Sequence, residues 1–211
     1  MLPSQKTLTL PLFAAVIAFI FTACNDSTTG VTDAPSQIES HTVENIGTGS
    51  YRAADTAYYN LRKNKLVEKA DSTTDKWDIA LSRTTIYINN GISGPGEGGA
   101  IVLDQSFDAT EIAPSKGYNS DTKESMAIPT GSGNGWYNYN PSNHLITPIE
   151  DKTIVLKTAD GEHYAKLKII SYNKDNPDLS SDEFKNNPEK YPSGYYTFEY
   201  VIQLNGTREF K

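Results

Sequence analysis

The segment Lys76–Leu103, KWDIALSRTTIYINNGISGPGEGGAIVL, decides the fold class. Its first part alternates apolar and polar positions, so Trp77, Ile79 and Leu81 are expected on one face of a β-strand. Alternation resumes at Ile86 and Ile88 with the opposite parity. An unbroken strand would turn its second half away from the core. A bulge or bend near Ser82–Thr84 is the expected remedy, because one extra residue resets the parity. Gly91, Gly94, Gly96, Gly98 and Gly99 then crowd around Pro95 and lead into the apolar run Ala100–Leu103. The segment reads as strand, irregular loop and buried strand.

Gly94, Gly96 and Gly99 have the G-x-G-x-x-G spacing of a dinucleotide site. That chemistry needs a helix directly after the glycines, with its N-terminus at the pyrophosphate. Ala100–Leu103 is strand-like instead, and no Gly-Lys-Ser/Thr follows to make a P-loop. A structural crossing loop is expected.

C-terminal to this segment, Ile154-Val155-Leu156 reads as a buried strand, and Ala159-Asp160-Gly161-Glu162 as a hairpin turn. The strand His163–Ser171 sets Ala165, Leu167 and Ile169 against Tyr164, Lys166 and Lys168, an antiparallel pattern with one wet face. Tyr195–Leu204 alternates Tyr196, Phe198, Tyr200, Ile202 and Leu204 with polar residues. Between these strands, Asn173–Ser193 is acidic, and Ser180-Ser181-Asp182-Glu183 has capping-box spacing for one short helix. Upstream, Ala57–Leu61 and Lys65–Lys69 form a hairpin around Lys63-Asn64, with Asn64 suited to positive φ. The expectation is one all-β domain over residues 50–211, mostly antiparallel and of sandwich type.

The signature Trp77-Asp78-Ile79-Ala80-Leu81, Arg83, Asn90-Gly91, and Ser93-Gly94 through Gly98-Gly99-Ala100 resembles that of HmuY-like haem-binding lipoproteins. Thr158-Ala159-Asp160-Gly161, Tyr164–Leu167 and the aromatic strand Tyr195–Tyr200 continue the match in the same order. The resemblance implies an all-β fold on a lipid anchor outside the cytoplasm of a Gram-negative bacterium. In characterised relatives it implies one haem, held between two loops by histidine or methionine pairs.

Residues 1–23 fit a leader that leaves the mature protein: Lys6 precedes the apolar stretch Leu8–Phe21, too short for a stable membrane span. Phe21-Thr22-Ala23-Cys24 looks like a lipobox, making Cys24 the expected lipid anchor. Residues 24–49 then read as a polar tether. Cys24 is the single cysteine, so the mature domain rests on its core without a disulfide. The net charge of −7 becomes more negative by one once Lys6 is removed. No basic cluster offers a nucleic-acid or anionic-lipid surface, which leaves the acyl group as the membrane contact.

From Phe107 to Glu150 regular alternation gives way to glycine, proline, asparagine and the aromatics Tyr118, Trp136, Tyr137 and Tyr139. So long an irregular stretch is functional or disordered, and the aromatics weigh against disorder. They either build a site or cap one end of the sandwich. His144 and Met126 are the strong donors here for a haem iron, with Tyr137 and Tyr139 flanking a ring or substituting as ligand. Met126 equally suits a core gap-filler, and His144 a loop residue bonded to backbone. His41 and His163 read as a tether residue and a turn-bordering residue.

Catalysis has little to rest on: there is no nucleophile elbow, and no His-x-x-His spacing among the three histidines. The expectation is a non-enzymatic outer-membrane lipoprotein, on the periplasmic or cell-surface face. It would take haem or a related porphyrin for uptake, in partnership with an outer-membrane haem receptor. A binding module for a glycan or protein, without a haem site, is the alternative. Sugar stacking would suit the Trp136–Tyr139 aromatics equally well.

Overall fold

The structure, a computed structural model, describes residues 37–49 and 52–211. The expected leader, Cys24 and the tether as far as residue 36 lie outside the described residues. In chain order the elements are β1 (Ile38–Gly47), β2 (Ala57–Asn60), β3 (Lys65–Val67), β4 (Ile79–Ser82), β5 (Thr85–Ile88) and β6 (Gly99–Asp104). They continue with β7 (Tyr137–Asn140), β8 (Leu145–Pro148), β9 (Lys152–Lys157), β10 (Tyr164–Asn173), the short helix α1 (Asp182–Asn186) and β11 (Ser193–Gln203). A five-stranded sheet runs β1-β11-β10-β9-β6, a four-stranded sheet runs β3-β2-β4-β5, and β7 and β8 form a two-stranded ribbon. Every pairing is antiparallel, as the alternating strands require.

Tyr59, Ile79, Leu81, Ile86 and Ile88 of the small sheet share one apolar cluster with Ile154, Leu156, Leu167, Phe198, Tyr200 and Ile202 of the large sheet. The two sheets therefore face each other across a common core. Each fully buried side chain of this kind contributes about 1.5–3 kcal/mol. Tyr200 bridges the layers with its hydroxyl, which donates to the Leu61 carbonyl at 3.0 Å, while within the small sheet Tyr59 donates to Asn64 Oδ1 at 2.7 Å.

The parity conflict in the central segment resolves by a hairpin, not by a bulge. Ile79 pairs with Ile88, Leu81 with Ile86 and Ser82 with Thr85. Directly opposed residues share a face, so a two-residue reversal at Arg83-Thr84 returns the isoleucines to the core. Arg83 takes the positive φ of 49°. An arginine there gave no turn signal, and the reversal stayed hidden. Trp77 also departs from expectation. It packs edge-on against Tyr58 at 5.2 Å, outside the cluster that holds Ile79 and Leu81, and its Nε1 donates to the Ser72 carbonyl.

The supposedly wet face of β10 is partly covered. Phe107, Ala113, Val155, Val201 and Phe210 form a second cluster there. The segment after β6 and the C-terminal residues cross this face, joined by Ala113 N to Arg208 O and Phe210 N to Glu111 O. Lys166 is only 4% exposed; its Nζ donates to the Phe107 carbonyl at 2.7 Å and lies 4.4 Å from that ring's centroid. Burial lowers its pKa. Lys168 follows expectation more closely, paired with Glu199 at 2.9 Å.

The folded domain begins before residue 50. β1 edges the large sheet beside β11, within what the sequence presents as tether. A register shift between Val43 and Ile46, with Asn45 at φ 59°, breaks the alternation that would have marked it. His41 accordingly sits in a strand, its ring 5.0 Å from that of Tyr200. The short helix forms with Ser181, not Ser180, as N-cap: its Oγ accepts from Phe184 N at 3.1 Å. Among the described residues no helix is long and apolar enough to cross a membrane.

Candidate functional site

The ribbon β7–β8 occupies the stretch expected to be irregular. Tyr137 and Tyr139 are two apart on β7 and so share a face, with Ile146 paired opposite Tyr139. The preceding turn buttresses this strand: Tyr139 N donates to Ser132 Oγ at 2.8 Å, and Gly133 N to the Tyr137 carbonyl at 2.9 Å. Trp136 anchors the ribbon in the core. Its ring lies 4.9 Å from Tyr137, 5.7 Å from Tyr172 and 5.3 Å from Tyr196, and its Nε1 donates to the Thr84 carbonyl.

Beside the ribbon opens a cleft of about 630 Å³. Tyr137, Tyr139, His144 and Ile146 come from the ribbon, and Ser132 from the turn before it. Tyr172 of β10, Arg83 and Thr84 of the β4–β5 turn, Gly49, Ser193 and Gly194 complete the lining. The size falls within the range of small-molecule and cofactor sites.

His144 closes the β7–β8 turn. Its backbone is left-handed at φ 57°, and its Nδ1 makes a 2.6 Å hydrogen bond with the Tyr139 hydroxyl. Tyr172 is buried, which raises its pKa against a hydrogen bond with the Thr48 side chain. Its phenol therefore stays protonated near neutral pH.

Met126 stands elsewhere. It lines a second cleft with Tyr118, Glu124, Pro129 and Asn134. The turn region 129–134 contributes to both clefts, with Ser132 on the first and Pro129, Thr130 and Asn134 on the second. Asp121 pins this region to the small sheet, accepting from Ala127 N at 2.8 Å and Ile88 N at 2.9 Å. The structure thus brings His144, Tyr137 and Tyr139 together and leaves Met126 apart. Sequence reasoning missed Gly49, Arg83, Tyr172, Ser193 and Gly194, which meet only through long-range strand pairing. Arg83 alone had a signal, as part of the resemblance motif.

The glycine loop holds no phosphate cradle. Asn89 fills its centre, accepting from Gly96 N and donating to the Thr74 and Trp77 carbonyls. A Cβ on Gly96 would lie 2.7 Å from the Asn89 carbonyl oxygen and 2.9 Å from that of Ala159. The glycines are there for close backbone approach.

Asp160, Glu162 and His163 place ligand-type atoms within 4.8 Å of one another. Asp160 is already engaged, however, by Arg62 Nη1 at 2.7 Å, His163 Nδ1 at 2.9 Å and the Thr158 hydroxyl at 2.6 Å. A cation would have to displace the guanidinium. Arg62 also reaches Asp78, whose carboxyl burial pushes up against that ion pair and the bonds from Leu61 N and Ala159 N. The network ties the small sheet to the β9–β10 turn.

Fold and cleft together define an antiparallel two-sheet domain whose concavity is built by a ribbon, a hairpin turn and strand ends. A family model described as HmuY protein matches residues 52–200, and the chain belongs to that family. A comparison with curated proteins found no match.

Proposed function

We propose that this chain is an envelope lipoprotein that binds haem or a related porphyrin in the ribbon cleft and passes it to an outer-membrane haem receptor, without catalysis. The observation that carries the reading is His144, an imidazole held against Tyr139 at the edge of a cleft walled by Tyr137, Tyr172 and Ile146. The donor set fits the group: one nitrogen for iron, aromatic and aliphatic walls for a flat ring, and Arg83, Ser132 and Ser193 for carboxylates. Bound haem would supply the iron centre. The protein's part is to orient the ring, shield one face and present the imidazole.

Attachment through acylated Cys24 belongs to the same proposal. β1 carries the chain across ten residues, about 33 Å, from Ile38 opposite Gln203 to Gly47 opposite Tyr195. The cleft, lined by Gly49 and Gly194, lies at the far end of that strand from the chain's entry. Metabolic labelling with a fatty acid should mark the wild type and not Cys24→Ala, and an unmarked wild type removes the anchor.

Haemin titrated into the purified domain should give a saturable Soret change that His144→Asn weakens at least tenfold. No Soret change in either iron oxidation state would overturn the haem reading. Tyr139, 41% exposed on the cleft, would then favour sugar stacking, to be sought with a glycan array.

A further inference from the structure

We infer that Tyr139 is a positioning residue: its hydroxyl engages His144 Nδ1 and leaves Nε2 as the one ring nitrogen that can meet a ligand. The inference deepens the haem reading and rests on it for the identity of that ligand. Two observations carry it. The first is the 2.6 Å contact between Tyr139 Oη and Nδ1, with the two ring centroids 6.1 Å apart. Both residues sit on one ribbon, where Asn140 pairs with Leu145 and Tyr139 with Ile146, so the contact is fixed by a four-residue turn.

The second is the backbone of His144. A histidine at φ 57° occupies the left-handed region, which glycine takes with less strain. The turn's other polar groups are used locally: Asn140 Oδ1 accepts from Ser142 N, and Asn143 Oδ1 from Leu145 N. The imidazole takes no part in these two bonds and is held by Tyr139 instead. The left-handed backbone of His144 sets the imidazole at the end of the ribbon, beside Tyr139.

The proton arrangement follows from the chemistry of imidazole. A lone pair at Nε2 requires the proton on Nδ1, and Nδ1–H then donates to the Tyr139 oxygen. If the apo ring carries its proton on Nε2, that proton leaves to solvent as Nδ1 takes one up, and the net charge is unchanged. A ligand-bearing histidine typically has its second nitrogen held in this way, and loss of the partner costs roughly 10–100-fold in metal affinity.

The test uses the folded domain and Tyr139→Phe, which keeps the ring and removes the hydroxyl. In the apo protein, the ¹⁵N shift of His144 Nδ1, assigned by its loss in His144→Asn, should move in Tyr139→Phe. With haemin, Tyr139→Phe should bind at least tenfold more weakly. In the ferrous complex its iron–histidine stretching frequency should fall, because the donor to the phenol oxygen has lost its acceptor. Unmoved Nδ1 shifts overturn the inference whether or not haemin binds. Haemin binding with unchanged affinity and stretching frequency overturns it while leaving the haem reading intact. A wild type that binds no haemin sinks that reading, and the Nδ1 shift still decides the Tyr139–His144 pair.

Discussion

Tyr196 donates its hydroxyl to the Arg83 carbonyl at 2.7 Å, tying the middle of β11 to the turn between β4 and β5. Tyr196 has no exposed surface, and burial raises its pKa far above the usual phenol value, so it stays a donor throughout the physiological range. The neighbouring carbonyl of Thr84 is held by Trp136. Two aromatic donors thus fix the strained turn that sets Arg83 on the cleft.

Tyr196→Phe removes the bond to the Arg83 carbonyl. The expected cost is about 1–3 kcal/mol, read as a lower denaturant midpoint with an unchanged slope. The Arg83 amide should also show faster hydrogen exchange, since its turn has lost an anchor. Wild-type exchange at Arg83 would mean that Trp136 alone suffices.

Gly94 tests the packing of the glycine loop. A Cβ there would lie 2.1 Å from Asn89 Oδ1 and 2.8 Å from the Trp77 ring. Gly94→Ala should therefore destabilise by about 1–3 kcal/mol through overpacking. Asn89→Ala should cost at least as much, because it strands Gly96 N and two carbonyls. Thermal unfolding of the two variants and of Gly117→Ala, whose Cβ would meet only Ile101 at 3.7 Å, separates overpacking from strain at positive φ. Unchanged melting in Gly94→Ala would show the loop to be loosely packed.

Asp160 sets part of the acid limit of stability. Burial raises its pKa, but hydrogen bonds from Thr158, Glu162 N and His163 and the charge of Arg62 outweigh this and hold the carboxyl well below the usual range. A folded pKa below the unfolded value of about 3.9 gives stability that is complete above that value and is lost as pH falls below it. Asp160→Asn should be less stable than wild type at pH 7 and should lose less on acidification from about pH 5 to pH 2. Asp78, pushed up by burial, is common to both proteins. Parallel acid profiles would mean that Asp160 keeps its pairing in the unfolded chain.

Where periodicity was clean, the fold was legible. β9 carries a continuous apolar run, and β10 as far as Ile169 and β11 carry apolar alternation; together they form the centre of the large sheet. β1 was hidden because the shift at Val43–Ile46 scrambles its period. The ribbon was hidden because β7 alternates tyrosine with asparagine and β8 ends in Pro148, neither of which reads as a core strand. Tyr137, Tyr139 and His144 were visible as aromatics and a donor in one irregular stretch. The rest of the cleft depends on pairings as distant as Gly47 with Tyr195, which local sequence does not encode.

His144 and Met126 were the two donors marked by sequence, and the structure sets them on different clefts. The two make opposite predictions when substituted. His144→Asn keeps a residue that tolerates positive φ, so the turn should survive while haemin binding weakens at least tenfold and the Soret band shifts. Met126→Leu keeps volume and apolar character, so folding and the haemin complex should both match wild type. His41→Ala and His163→Ala should leave the Soret band unchanged, since one ring packs on Tyr200 and the other bonds Asp160. A Soret shift in Met126→Leu would require the turn region 129–134, shared by both clefts, to rearrange on binding and bring the thioether to the iron. That outcome would replace the one-histidine site with a His144–Met126 pair.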